Sequence, residues 1–252
     1  MIEPRKKIRP NRPCFPTPHD GLEVVETDDG TRTLRRKCDK VTWHSESGAL
    51  AESSLVFIRN SQITEILADQ TKIKILEIGF GTGLNFWLAS SVAIRLNRQL
   101  EYYSLESDLL DYQTIKQLKY DLLRQCQPAY DLFSKEVFDE KPLPLSLARD
   151  QVLLEILPNL DSLWQSTDHV KFDAIFLDPF APEISPEFWN ESFFEALFAR
   201  LAENRRLVTY CVKSKIQRRL KSTGFNVEKT RGPVGGKREV LIGIKESSTH
   251  FN

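Results

Sequence analysis

The stretch Ile73-Lys74-Ile75-Leu76-Glu77-Ile78-Gly79-Phe80-Gly81-Thr82-Gly83-Leu84-Asn85 limits the fold of this chain more than any other. A short apolar run rich in β-branched residues leads into three glycines at alternate positions, and then into a helical pattern over Leu84–Leu96. An apolar run without polar alternation suits a strand buried on both faces, as in a parallel sheet covered by helices. Glycines at its end permit a tight turn and let the backbone approach a ligand closely.

Strand and helix patterns alternate downstream. Strands are expected over Glu101–Glu106, weakly over Pro144–Arg149, then over Phe172–Leu177 and Leu207–Val212. Helices are expected over Asp108–Arg124, over 151–160, from Ser185-Pro186-Glu187 onward with Ser185 as N-cap, and over 214–223. Two last strands, near 225–229 and 238–244, are close enough in sequence to form an antiparallel edge. The expectation is an α/β fold: a Rossmann-like, mostly parallel sheet with helices on both faces and an antiparallel edge, plus a small N-terminal extension. Residues 71–252 form the main domain in this reading. Residues 21–70 are the extension, with a hairpin or meander around Leu22, Val24 and Leu34 and a helix over 49–68. Residues 1–20 are an irregular basic arm, because five prolines remove amide donors.

Composition narrows the function classes. Four dispersed cysteines form no CxxC pair, which argues against a metal site and a disulfide framework. No segment reaches the ~20 apolar residues of a membrane span, and the basic start lacks the apolar core of a signal peptide. A soluble, cytoplasmic protein is expected. The formal net charge is zero, but five Lys/Arg crowd residues 1–12 and eleven crowd residues 205–239. Basic ends on an otherwise acidic chain can present one face to a polyanion.

The glycine loop has a chemical bias. Nicotinamide enzymes carry GxGxxG over a pyrophosphate. Here the spacing is GxGxG and Glu77 sits inside Gly79. A carboxylate there repels a pyrophosphate and attracts the ammonium of a methionine moiety. Glu106 ends the next strand, where an acid can accept hydrogen bonds from ribose hydroxyls. Asp150 follows the weak third strand and is assigned to an adenine amino group. Gly79, Gly81, Gly83 and Asn85 complete the set, and together they point to S-adenosyl-L-methionine as cofactor.

The strand over Phe172–Leu177 ends in Asp178-Pro179-Phe180-Ala181-Pro182. This resembles the [DNS]-P-P-[FY] loop of methyltransferases that modify amines. A primary amine must present a free lone pair to the methyl donor, so a group that accepts its protons and fixes its direction is required. Asp178 is the catalytic candidate, and Phe180 can stack on a base.

Four stretches carry a more specific resemblance. They are His44-Ser45 through Gly48-Ala49 to Glu52-Ser53-Ser54-Leu55-Val56-Phe57; Leu76 to Phe86; Phe172 to Pro182 with Pro186 and Trp189; and Thr209-Tyr210, Gly224-Phe225 and Gly235-Gly236-Lys237-Arg238-Glu239. In this order they resemble the methyltransferase half of the bifunctional family that makes 5-methylaminomethyl-2-thiouridine in tRNA. The resemblance implies methylation of a 5-aminomethyl group on the wobble uridine, with tRNA bound by its anticodon loop. It puts Asp178 nearest the amine, Glu77, the three glycines, Asn85, Glu106 and Asp150 along the cofactor, and Lys237 and Arg238 beside the substrate. Nothing after 245 resembles that family's FAD-dependent oxidase half, so a stand-alone form supplied by a separate aminomethyl-forming enzyme is expected. Arg149-Asp150-Gln151 departs from the family's Gly-Asp-Ala, and Glu203-Asn204-Arg205 replaces its P-G-G. Two other readings stay open: a transferase acting on a small amine, and a catalytically silent methyltransferase-like binding module.

Overall fold

The computed structural model describes residues 12–138 and 144–247. Two sheets organise them. The first is antiparallel, in the order β1-β2-β3: β1 (Cys14–Pro16), β2 (Leu22–Glu26) and β3 (Arg32–Arg36). The arm expected to be irregular therefore contributes an edge strand, Cys14 opposite Val25 and Pro16 opposite Glu23. Pro16 costs nothing in amide donors at a strand end on a sheet edge. Arg5, Lys6, Lys7 and Arg9 lie outside the described residues, while Arg12 pairs with Asp28 at 2.6 Å and Glu46 at 3.5 Å.

The helical segment expected over 49–68 is broken. α1 (Ala49–Ser53) runs into a π-helical turn over Ser54–Arg59, and α2 (Ile63–Asp69) starts anew after Gln62, which adopts a left-handed φ of 64°. The wide turn leaves Ser61 Oγ donating to the Phe57 carbonyl.

The large sheet has eight strands. They are β4 (Lys72–Ile78), β5 (Gln99–Leu105), β6 (Leu145–Leu147), β7 (Val152–Leu157), β8 (Phe172–Leu177), β9 (Leu201–Thr209), β10 (Asn226–Arg231) and β11 (Glu239–Lys245). Their order is β10-β11-β9-β8-β4-β5-β7-β6. The five central strands are parallel, and β10, β11 and β6 pair antiparallel at the edges. Successive side chains in β4 alternate between two cores. Ile73 and Ile75 face the side of α3 (Leu84–Arg95), and Leu76 and Ile78 face the opposite side. Both faces are covered, as expected for a doubly wound sheet.

Two assignments between β5 and β8 are corrected. Asp108–Arg124 is not one helix: α4 (Tyr112–Lys116) is short, and α5 (Gln127–Phe138) follows a 3-10 turn at Tyr120–Leu122. The third parallel strand is Val152–Leu157, expected to be helical, whereas the segment read as that strand is the short antiparallel β6. A six-residue apolar run fits either period, and pairing with β5 decides it. α6 (Leu160–Ser166) follows, capped by Asn159, whose side chain accepts from Ser162 N. Further on, Pro186–Trp189 forms only a 3-10 turn. The helix proper is α7 (Glu191–Arg200), capped by Asn190 rather than Ser185. α8 (Ser214–Ser222) connects β9 to β10. Among the described residues no helix is long and apolar enough to cross a membrane.

Candidate active site

Parallel strands carry their loops to one edge, and ligands bind where the connections diverge beyond the strand ends. Here that edge lies at the ends of β4, β5, β7, β8 and β9. Ile78 lies opposite Leu177, and the Asp178 amide donates to the Ile78 carbonyl at 3.0 Å, which keeps β4 and β8 in step to their last residue. By strand alternation Glu77 falls on the α3 side. Asn85, in the first turn of α3, spans the gap between the two acids. Its Nδ2 is 2.9 Å from Glu77 Oε1 and 3.0 Å from Asp178 Oδ2.

The glycine loop holds this corner open. Gly79 has φ +91°, and its amide donates to the Leu105 carbonyl at 3.0 Å. A Cβ there would lie 2.8 Å from the Asp178 carbonyl oxygen, so the loops after β4 and β8 touch backbone to backbone. The Gly81 amide donates to Glu106 Oε2 at 3.0 Å, and Asp108 N to Oε1 at 3.0 Å. A carboxylate offers about four lone-pair sites, so Glu106 can still accept from a diol. Gly83 (φ +75°) is the backbone N-cap of α3 and packs under the Phe80 ring.

A cleft of about 670 Å³ opens over these groups. Gly79, Gly81, Asn85, Glu106, Asp178, Phe180 and Lys237, all singled out in the sequence, line it. Glu77 stands one step back: it has no exposed surface and meets the cleft through Asn85, with Oε2 left unpartnered. Asp150 is a correction. It sits in the turn between β6 and β7, at the start of β7, bonded by Ser146 Oγ and in left-handed backbone (φ 67°). That is the opposite end of the sheet from the cleft. The residues beyond the true third strand are Pro158, Asn159 and Leu160, and these line the cleft. Gly83 and Arg238 are not on its wall.

The field of the site is set by buried carboxyls. Burial pushes the Glu77 carboxyl up to about 8, Asn85 opposing and the Glu106 charge adding to the shift. Asp178 is raised well above the usual carboxylate range by burial, then by the charges of Glu77 and Glu52, with Asn85 and Lys237 opposing. Glu52 is likewise raised by burial, against the hydrogen bond its Oε2 accepts from Ser45 N at 2.7 Å. Such a cluster favours a cation, which would relieve the repulsion and restore the ionised forms. The unpartnered Asn85 Oδ1, the close backbone at Gly79 and the acid just past β5 fit S-adenosyl-L-methionine. Its ammonium and sulfonium are cationic and its ribose is a diol.

The loop after β8 is braced from outside. Tyr210 OH donates to the Pro179 carbonyl at 2.8 Å, and Trp189 Nε1 to the Phe180 carbonyl at 2.9 Å. The Phe180 ring meets Trp43 edge-on at 5.4 Å between centroids, with the Arg36 guanidinium 5.2 Å away over its face. Trp43 also covers Gly81, where an added Cβ would be 2.9 Å from its Cδ1. The segment after β3 thus reaches across the glycine loop. Trp43, Tyr210 and Asn159 do not stand out as site residues in the sequence. A lone tryptophan beside His44 and a tyrosine just past a strand are the available signals. His44 itself is buried against Thr33 Oγ1 at 3.1 Å, and burial lowers it to about 4, so it stays neutral.

The basic region resolves into paired and exposed charges. Lys213 bonds Glu183, Lys229 pairs with Glu239 at 2.9 Å, and Arg219 donates to the Trp189 carbonyl at 2.6 Å. Lys215, Arg218 and Lys221 recur every third residue on α8, which puts them along one helix side, and all three are exposed.

Comparison with known proteins agrees with this geometry. Residues 121–246 match a family described as S-adenosyl-L-methionine-dependent methyltransferases. The chain is 32% identical, over 238 residues and 87% of its length, to the tRNA 5-methylaminomethyl-2-thiouridine biosynthesis bifunctional protein MnmC of Burkholderia thailandensis. It is 32% identical over 224 residues to the protein of the same name from Marinomonas. It spans only about a third of these relatives, 34% and 32% of their lengths. The crystal structure of MNMC2 from Aquifex aeolicus superposes with a TM-score of 0.77 at 26% identity, over 93% of this chain and 73% of that one.

Proposed function

The chain belongs to the family of S-adenosyl-L-methionine-dependent methyltransferases, and we propose that its acceptor is the primary amine of a 5-aminomethyluridine, 2-thiolated or not, at the wobble position of tRNA. The product is the 5-methylaminomethyl nucleoside. One observation carries the reading. Asp178, at the end of β8 in a cation-favouring cleft, shares an amide with Glu77 on the cofactor strand, so an acceptor held by Asp178 lies beside the methyl donor.

We assign the cofactor to Gly79, Gly81, Asn85 and Glu106, with Glu77 acting through Asn85. S-adenosyl-L-methionine supplies an electrophilic methyl group. Asp178 accepts hydrogen bonds from the amine and aims its lone pair, an orienting effect of several kcal/mol, roughly 7–11 in the best intramolecular reactions. Phe180 supplies a face for the uracil ring, as unstacked RNA bases rest on aromatic side chains. Lys237, on the cleft wall, is assigned to the nucleotide, with Arg238 next to it in the chain but off that wall. Lys215, Arg218 and Lys221 meet phosphates of the anticodon arm, where affinity comes from counterion release. Such a row suits a polyanion better than a cationic polyamine. We place the reaction in the cytoplasm, with the aminomethyl group made by another active site.

Nucleoside analysis of tRNA from cells lacking the gene tests the reading. Loss of 5-methylaminomethyl nucleosides with accumulation of the 5-aminomethyl form is expected. An unchanged nucleoside profile would contradict it.

A further inference from the structure

Asp178 alone leaves a chemical step without an owner. An alkyl ammonium must lose a proton before it can attack, and a group that also orients the amine is best left ionised. A second carboxyl faces the same space. Glu52 comes from α1, in the N-terminal extension, and lines the cleft although the residue is only 8% exposed. One oxygen, Oε2, accepts from the Ser45 amide at 2.7 Å, which anchors the carboxyl in the wall of the cleft that Asp178 also lines.

A protein ammonium already marks the spot. Lys237, from the loop before β11, reaches into the cleft with Nζ 3.9 Å from the centroid of the Tyr210 ring. Carboxyls and an aromatic face around an ammonium are what an acceptor amine requires. The Lys237 charge acts on the Glu52 carboxyl, and the Glu52 charge in turn acts on Asp178 after β8 and Tyr210 after β9. Neighbouring His44 stays neutral.

We propose that Glu52 and Asp178 together form the seat of the acceptor ammonium above Tyr210, and that Glu52 takes the proton the ammonium must shed. The inference rests on the proposed amine acceptor. The N–H bond breaks and its proton goes to the Glu52 carboxylate. The freed lone pair forms the N–CH3 bond as the S–CH3 bond breaks, and that electron pair stays on sulfur. A secondary ammonium leaves, and Glu52 returns its proton to solvent. Burial raises the pKa of both Glu52 and Asp178, which suits one proton passing through the pair.

The test is Glu52→Gln, which keeps an oxygen for the Ser45 amide but cannot take a proton. Methyl transfer to tRNA carrying 5-aminomethyluridine is followed from pH 6 to 10, with S-adenosyl-L-methionine affinity measured alongside. Cofactor affinity should hold while the rate at pH 7 falls by about 10²–10⁴, recovering at high pH where the amine deprotonates unaided. A wild-type rate, or an equal loss at every pH, overturns the role of Glu52. Should the Gln variant not fold, Glu52→Asp substitutes: a slower rate with the wild-type pH profile supports the role, and an unchanged rate overturns it. Wild-type protein inactive on this tRNA overturns the proposed function and this inference with it.

Discussion

Glu77, one residue before the end of β4, and Asp178, one residue past the end of the neighbouring parallel strand β8, hold the same side-chain nitrogen: Asn85 Nδ2 lies 2.9 Å from one and 3.0 Å from the other. Donation by one NH2 group to two carboxyls fixes both acids relative to α3 and ties the cofactor loop to the loop after β8. The strands could not converge this closely with a side chain at Gly79.

Asn85→Leu removes that shared donor and leaves two buried carboxyls unbridged. Hydrogen bonds to charged groups contribute about 1.5–3 kcal/mol, so cofactor affinity should fall about tenfold or more. Calorimetric titration with S-adenosyl-L-methionine measures it, and unchanged affinity would remove Asn85 from the cofactor site.

Gly79→Ala should be costly whether or not ligand is present. Its φ of +91° strains any L side chain, and the new Cβ would meet the backbone oxygen of Asp178 at 2.8 Å. A destabilisation exceeding about 1 kcal/mol is expected, a Tm shift of roughly 2–4 °C or more in a domain of this size. A melting curve equal to wild type would contradict the close approach of the two loops.

Glu77 makes the cofactor-free protein sensitive to pH. Folding raises its carboxyl from 4.5 to about 8, so between these values the folded state holds a proton that the unfolded state has released. Stability must therefore fall as pH rises through this window. Glu77→Gln should flatten the decline of Tm from pH 5 to 8, with the remaining slope set by Asp178 and Glu52, which shift in the same direction, and opposed below pH 6.5 by His44, which shifts the other way. An identical slope in the variant would show that Glu77 is ionised in the free protein.

Reversing Lys215, Arg218 and Lys221 to Glu should weaken tRNA binding and reduce its dependence on salt, by a slope change of about 0.7–0.9 for each phosphate no longer neutralised. S-adenosyl-L-methionine affinity should not move. A parallel fall in both affinities would point to misfolding rather than to a tRNA-binding face.

Much of this is legible in the residues. β4, its glycines and α3 announce themselves because a buried parallel strand has no polar alternation and the loop needs positive φ. Asp178 follows from the same logic at β8. What fails is β7. Val152-Leu-Leu-Glu-Ile-Leu157 is apolar at both helical and extended spacing, and only its pairing with β5 selects the strand. That one error moves the expected adenine contact to Asp150, at the wrong end of the sheet, and hides Asn159. The π-helical turn over Ser54–Arg59 and the reach of Trp43 across Gly81 are tertiary outcomes with no local code. Glu52 is visible as an acid in a helix, but its burial beside Asp178 depends on how the N-terminal sheet docks.

In the proposed reaction Asp178 directs an amine of modified tRNA toward a methyl donor on the glycine loop. Wild type and Asp178→Ala should be incubated with methyl-labelled S-adenosyl-L-methionine and two tRNA pools, one native and one bearing 5-aminomethyluridine at the wobble position, and the digested nucleosides identified. Label in 5-methylaminomethyluridine from the second pool alone, absent with Asp178→Ala while cofactor binding persists, is the expected result. No label in either pool despite cofactor binding, or full transfer by the Ala variant, would contradict it.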